Sequence, residues 1–272
     1  MMTACQEAPV DARLAGPAQR IVSLAPHITE LVFAAGAGDK LVGVADYSDF
    51  PLEAQQIPKI GDAFRVDYET IALLNPDLIL SWQSGTPREI VERLQALGYS
   101  VVELEPDSIE DIVAELERLG ELAGTVDVAN LRAATMRSEI DALRAKYAGT
   151  KPLSVFFQIS AEPLFTVAGA HVISDILELC GGRNIFAGLP GIAPPVSTES
   201  VLAAAPDVIL ATLQGDEHGW MQRWLVWKQI PAVAAGNLYE IDRDLISRSG
   251  PRIVQGMRQV CEALADARVN MR

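Results

Sequence analysis

Basic charge is scarce in this chain. Lys and Arg total 22 against 36 Asp and Glu, a formal net charge of -14. A phosphate backbone or an anionic lipid surface would be repelled, which excludes nucleic acid as a partner. No apolar run reaches the roughly 18 to 20 residues that a membrane span needs, because candidates such as VLAAAPDVILATL (201–213) carry Pro and Asp inside them. Catalytic signatures are also missing: there is no GxSxG elbow, no phosphate-cradling glycine loop, no HExxH and no CxxC. His27, His171 and His218 lie far apart, so no metal-ligating cluster is legible and nothing marks an enzyme.

Cysteine is limited to three residues. Cys180 and Cys261 both fall in the second half, where they form either a disulfide or two buried thiols. Cys5 ends the run Met-Thr-Ala-Cys, small residues before a Cys, as at a lipoprotein processing site, without the charged and apolar segments that should precede it. Residues 1–19, with their Pro, Ala and Gly, read as an unstructured linker.

What the chain does have is 272 residues that are 49% hydrophobic, enough for one large or two ordinary domains with proper cores. Its organising stretch is TVDVANLRAATMRSEIDALRAKYA (125–148). Ala129, Ala133, Met136, Ile140, Leu143 and Tyr147 recur at spacings of four and three, which predicts one long helix with a single apolar stripe. At 1.5 Å per residue it would span roughly 36 Å, long enough to join two lobes.

Strands and helices alternate on either side of it. Before it, strands are predicted at 21–24, 41–44, 78–81 and 101–104, with helices from 26, at 68–74, at 87–97 and from 108. After it come strands at 153–159, 208–213 and 238–241 and helices at 172–179, 198–204, 217–229 and 250–267. An internal repeat links the halves: ETIALLNPDLIL (69–80) is echoed by ESVLAAAPDVIL (199–210), each a short helix, a Pro-Asp turn and a buried strand. The predicted fold class is α/β: two similar lobes of mostly parallel sheet flanked by helices, 20–124 and 149–272, joined by the backbone helix 125–148. Two such lobes would leave a cleft for a small ligand.

Aromatic and charged residues at strand ends mark that cleft. Trp82 follows the strand 78–81 at its C-terminal end, where open α/β sheets bind ligands, and Tyr47 and Phe64 lie in loops after early strands. Phe165 is placed to face the cleft from the second lobe. Trp224 and Trp227 read as core, with Trp220 nearer the cleft. Asp244 and Arg248 follow the last strand; Arg248 either donates to a ligand or pairs with Asp244 at the surface. His27, at a strand-to-helix junction, either reaches the ligand or is satisfied by backbone.

At these residues the chain resembles a family. The run IVSLAPHITELVFAAG (21–36), the loop DYSDFP (46–51), the duplicated Pro-Asp strands, LCGGRNIF (179–186) and SGPRI (249–253) together resemble the helical-backbone, class III substrate-binding proteins of ABC importers. The similarity is strongest to the members that carry cobalamin (vitamin B12), and it covers residues 20 to about 264.

The resemblance implies several roles. Tyr47 and Trp82 match aromatic positions that line a corrinoid site, and Asp244 and Arg248 match a polar pair at the same cleft. Glu69 and Glu199 match glutamates that dock onto arginines of a membrane permease, which works with its ATPase, although as helix-start residues they would equally serve as caps. Cys180 and Cys261 match a disulfide pair, in keeping with an oxidising periplasm. Two departures stand out: Ala63 with Phe64, and residues 191–195, replace cleft tryptophans of the cobalamin carriers, so the pocket is less aromatic. The expectation is therefore a monomeric periplasmic protein, with Cys5 as a lipid-anchor candidate, that delivers cobalamin or a related corrinoid and has no resident cofactor. A haem or ferric-siderophore carrier of the same fold is the first alternative, haem requiring Tyr47 or His27 as axial ligand. A chelatase-like tetrapyrrole enzyme is the second.

Overall fold

A computed structural model describes residues 16–62, 64–212 and 219–271. Cys5, Ala63 and His218, and most of the expected linker, lie outside the described residues. The chain divides into two compact units, the described parts of Met1–Pro106 with Asp111–Thr135, and Asp107–Glu110 with Met136–Arg272.

The first unit is built on a four-stranded sheet. Its strands are β1 (Ile21–Ser23), β2 (Leu41–Val44), β3 (Leu78–Trp82) and β4 (Val101–Leu104), in the order β2-β1-β3-β4. Every pairing is parallel. Parallel strands covered on both faces need continuous apolar runs, and here Val22, Leu24, Ile79 and Val101 are buried together with Ile71 and Leu94 from the flanking helices. Those helices are α1 (Pro26–Ala34), α2 (Tyr68–Leu74), α3 (Arg88–Ala96) and α4 (Ile109–Ala123).

The helix α5 (Val126–Tyr147) follows, and the division between the units falls within it. All six residues of the predicted stripe are buried, from Ala129 to Tyr147. Gly149 then ends the helical segment in the left-handed conformation.

The described residues of the second unit form the strands β5 (Leu153–Ala161), β6 (Leu164–Thr166), β7 (Gly182–Asn184), β8 (Val208–Thr212) and β9 (Leu238–Ile241). The sheet runs β6-β5-β8-β9, with β7 also paired to β5. Among the described residues β6 alone pairs antiparallel in this sheet; it folds back on the end of β5 through Glu162-Pro163. Its helices are α6 (Val172–Leu179), α7 (Thr198–Ala204), α8 (Trp220–Leu225), α9 (Pro231–Ala234), α10 (Arg243–Ile246) and α11 (Ile253–Asn270).

The Pro-Asp repeat has a physical basis. Asp77 accepts the backbone N–H groups of Gln19 and Arg20 at 2.8 and 3.0 Å, while its own N–H donates to the Arg20 carbonyl. Asp207 does the same work 130 residues later, accepting the Ser154 N–H and hydroxyl at 2.8 and 2.7 Å and donating its N–H to the Ser154 carbonyl. Each aspartate thus fixes the start of the neighbouring strand before the ladder begins. The preceding helices end alike, at Asn75 and Ala205, both left-handed.

Two expectations are corrected. The helix expected at 217–229 is shorter: α8 ends at Leu225, and the chain turns through Trp227 N–H to Trp224 O and Ile230 N–H to Trp227 O before Pro231 opens α9. Ile230, the residue before Pro231, is extended and separates this turn from α9. The last helix starts at Ile253 rather than Gly250, after a turn containing Pro251. Trp220 is 2% exposed and packs with Phe156 and Trp224 in the core, and it also lines a small cavity beside Ala161, Glu162 and Arg223.

Cys180 and Cys261 form a disulfide that joins the C-terminus of α6 to α11, and both residues are fully buried. The closed loop spans a sequence separation of 81. Replacing both cysteines by Ala is expected to lower the unfolding free energy by about 2–5 kcal/mol, the range for a loop of this size. Urea unfolding checks this, and an unchanged midpoint would contradict it.

His171 caps α6 by accepting the Ile173 N–H on Nδ1 at 3.1 Å, and burial lowers its pKa to about 4. Because the folded value lies below the ordinary 6.5, the unfolded chain binds more protons between the two. The stability this neutral cap contributes is complete above about pH 6.5 and lost as pH falls toward about 4. His171→Asn keeps a cap and does not titrate there. The wild-type melting temperature should therefore drop relative to that of the variant as pH falls from 6.5 to 4; parallel curves would contradict the assignment.

Candidate functional site

In the first unit all four strands are parallel, so their C-terminal ends share one edge. Three of them deliver candidate side chains there. After β1 the chain enters α1 with His27 in its first turn, after β2 it reaches Tyr47, and β3 ends on Trp82. In spatial order β2 and β3 flank β1, so Tyr47 and Trp82 stand on either side of the strand that leads to His27.

Tyr47 is presented at a local cost. Ala45 O accepts the Ser48 N–H to close a tight turn, and Tyr47 occupies it with φ 63°, a left-handed conformation that favours Gly or Asn. Its side chain is 78% exposed, so no packing explains the choice of Tyr. The turn is anchored beneath it: the buried Ser48 hydroxyl lies 3.0 Å from Thr29 Oγ1, and Lys59 Nζ donates to the Ser48 and Ala54 carbonyls.

Phe64 lies nearby in the chain's hydrogen-bond network. It sits on a turn whose N–H groups, those of Phe64 and Arg65, both donate to Asp62 Oδ1, and it is 76% exposed. The Asp46 N–H donates to Gly61 O, tying this turn to the one that carries Tyr47.

Trp82 is held differently. It is 37% exposed, its ring meets His27 edge-on at 5.2 Å between centroids, and its Nε1–H donates to Glu105 at 3.3 Å. Glu105, directly after β4, escaped the sequence reading. The register Trp82↔Leu104 brings it alongside, a relation visible only once β3 and β4 pair. His27 is 7% exposed, packed against this indole rather than displayed.

The second unit offers a more polar edge. Phe165 lies in β6, paired with Ser160 of β5 and bridged on its other side to Pro195, and is half-buried. Asp244 and Arg248 follow β9 and form an ion pair of 3.3 Å, with the Arg248 side chain 15% exposed and that of Asp244 52%. Of the two roles weighed for Arg248, the ion pair exists, with Arg248 largely buried and Asp244 half-exposed. A cavity of about 470 Å³ within this unit is lined by Gln158, Glu199, Arg223, Trp224 and Trp227 among others.

Glu69 and Glu199 occupy equivalent places, second in the seven-residue helices α2 and α7, and both are exposed. The capping roles fall to their neighbours: Asp67 accepts from Thr70 N at 3.0 Å, and Ser197 from Ser200 N at 3.2 Å. Thr70's N–H and hydroxyl hold the Asp67 carboxyl below its usual range. The Glu199 carboxyl is also lowered, by its own N–H and the Ser197 hydroxyl, so it is charged at neutral pH. Among the described residues no group of three or more His, Cys, Asp or Glu could hold a metal ion, and no helix is long and apolar enough to cross a membrane.

The family model described as periplasmic binding protein matches residues 21–245. The Vitamin B12-binding protein of Vibrio cholerae serotype O1 is 35% identical over 249 residues, which cover 91% of this chain and 90% of that protein. The crystal structure of the periplasmic vitamin B12 binding protein BtuF of Vibrio cholerae superposes with a TM-score of 0.85 at 35% identity, covering 93% of this chain and 98% of that one. The apo periplasmic heme-binding protein RhuT from Roseiflexus sp. RS-1 gives a TM-score of 0.80 at 27% identity, covering 92% and 98%.

Tyr47→Gly tests the presentation of that side chain. Removing an exposed ring from a left-handed position is expected to leave stability unchanged or raise it by up to about 1 kcal/mol in urea unfolding. A loss of more than about 1 kcal/mol would show that Tyr47 stabilises the fold instead.

Proposed function

The chain belongs to the periplasmic binding protein family, and from that premise we propose that it captures cobalamin or a related corrinoid and delivers it to an ABC import permease. The observation that carries this reading is the C-terminal edge of the first sheet, where Tyr47 and Trp82 expose aromatic surface on either side of one strand. A corrin is a broad, flat, largely apolar macrocycle with amides at its rim. Exposed indole and phenol rings suit its face, and charged donors suit its rim.

The ligand-contacting residues in this reading are Tyr47, Phe64 and Trp82 in one unit and Phe165, Asp244 and Arg248 in the other. Arg248, already oriented by Asp244, offers guanidinium N–H groups to amide oxygens, and Asp244 accepts amide N–H groups. Binding proceeds by stacking and hydrogen bonding, without a catalytic step or a resident cofactor. The protein works as a monomer in the periplasm.

Glu69 and Glu199 are the docking carboxylates for cationic side chains of the permease complex. Their matched, exposed positions on matched helices support that role. Similarity to a heme-binding protein at 27% identity keeps haem as the second reading, with Tyr47, the more exposed of the two axial candidates, as its ligand.

Isothermal titration with cyanocobalamin, cobinamide and haemin separates these readings. One-to-one binding of a corrinoid, weakened at least about tenfold by Trp82→Ala, is expected for a buried aromatic anchor. Binding of haemin alone, lost in Tyr47→Phe, would move the assignment to haem. Turnover of a metal-free tetrapyrrole would point instead to a chelatase. The double variant Glu69→Ala/Glu199→Ala is expected to keep corrinoid affinity while abolishing transport in vesicles that carry the permease; unchanged transport would remove the docking role.

A further inference from the structure

We propose that Glu105 is the positioning residue for the Trp82 indole, fixing the ring in one orientation before ligand arrives. The importance of that orientation for affinity rests on the reading of Trp82 as a corrinoid contact; the clamp itself does not.

Three elements converge on this one side chain. From the end of β4, Glu105 Oε1 accepts the Trp82 Nε1–H at 3.3 Å and the Ser84 hydroxyl at 2.8 Å, while Oε2 accepts the Ser84 N–H at 2.6 Å. A single carboxylate therefore binds both the indole and the turn that follows it. That turn is closed by the Gly85 and Thr86 N–H groups donating to Trp82 O, and Thr86 Oγ1 accepts the Trp82 N–H. Gly85 lies against the benzo ring: a Cβ there would come within 1.8 Å of Trp82 Cε3 and 2.3 Å of Cζ3. From the start of α1, His27 meets the ring edge-on at an interplanar angle of 84°.

An aromatic side chain at a sheet edge would otherwise lose rotamer freedom when a ligand covers it, and that loss weakens binding. Here the freedom is removed in advance. The indole N–H is a donor with no acceptor capacity, and Glu105 is an acceptor that needs donors, so the pair satisfies both. With its N–H engaged, the ring offers a ligand its π-face alone. This arrangement favours stacking on a flat macrocycle over hydrogen bonding to the rim.

The test begins without ligand. In ¹⁵N-labelled protein the Trp82 indole N–H resonance is assigned by its disappearance in Trp82→Phe. Glu105→Ala is expected to shift that resonance upfield and speed its exchange with solvent, leaving the other indole signals in place, and Gly85→Ala is expected to displace it as well. A Trp82 signal unmoved in Glu105→Ala overturns the proposal whatever the ligand proves to be. Should that variant fail to fold, Glu105→Gln, which retains one acceptor oxygen, carries the same readout with a smaller shift.

Titration with cyanocobalamin then reads the consequence. Glu105→Ala should weaken binding roughly twofold to tenfold, as for a lost hydrogen bond of ordinary net strength. It should cost nothing further in a Trp82→Ala background. An equal loss in both backgrounds would overturn positioning through the indole. Absence of corrinoid binding by the wild type would defeat the functional reading, while the resonance shift would still decide the clamp.

Discussion

Parallel strand alignment is the constraint on which the rest of this protein depends. Parallel strands place all their C-terminal ends on one edge, so loops distant in sequence become neighbours there. In each unit a Pro-Asp turn secures that alignment, with Asp77 or Asp207 binding the backbone where the adjacent strand starts. The aspartates lie at the opposite end of the strands from Trp82 and Arg248. The backbone-binding aspartates thus lie at one edge of each sheet, and the candidate ligand residues at the other.

The two edges differ in chemistry. The first presents Tyr47, Phe64 and Trp82, with exposures of 78%, 76% and 37%. The second presents a half-buried Phe165 and the Asp244–Arg248 pair. Exposed rings are a liability in a soluble protein, and a left-handed Tyr adds backbone strain, so retaining them calls for a compensating role. Ligand capture, as proposed for the first edge, would supply one.

Much of this was legible because it is local. The α5 stripe, the extents of α2, α6 and α7, and the Pro-Asp repeat each rest on residues a few positions apart, where periodicity and turn chemistry act directly. Strands β6 and β7 escaped notice because each has three residues and exists through pairing with β5. The extent of α8 was misjudged because tryptophans at helical spacing imitate a longer helix, whereas Trp224 is fixed by its indole N–H on Gln158, 66 residues away in sequence. Glu105 had no motif at all: its partner Trp82 lies 23 residues away, and strand register alone brings the two together. Tyr47 was legible as an exposed aromatic, but nothing in its neighbours signals a left-handed backbone.

The central claim is that a corrinoid rests against the exposed aromatic edge of the first sheet. Crystals grown with cyanocobalamin and measured at the cobalt absorption edge test it most directly, because the anomalous signal locates the metal without reference to the fold. One cobalt site per chain is expected, in a corrin ring that contacts the open face of Trp82 and the Tyr47 ring. A cobalt peak elsewhere on the molecule, or none at saturating ligand, would contradict it.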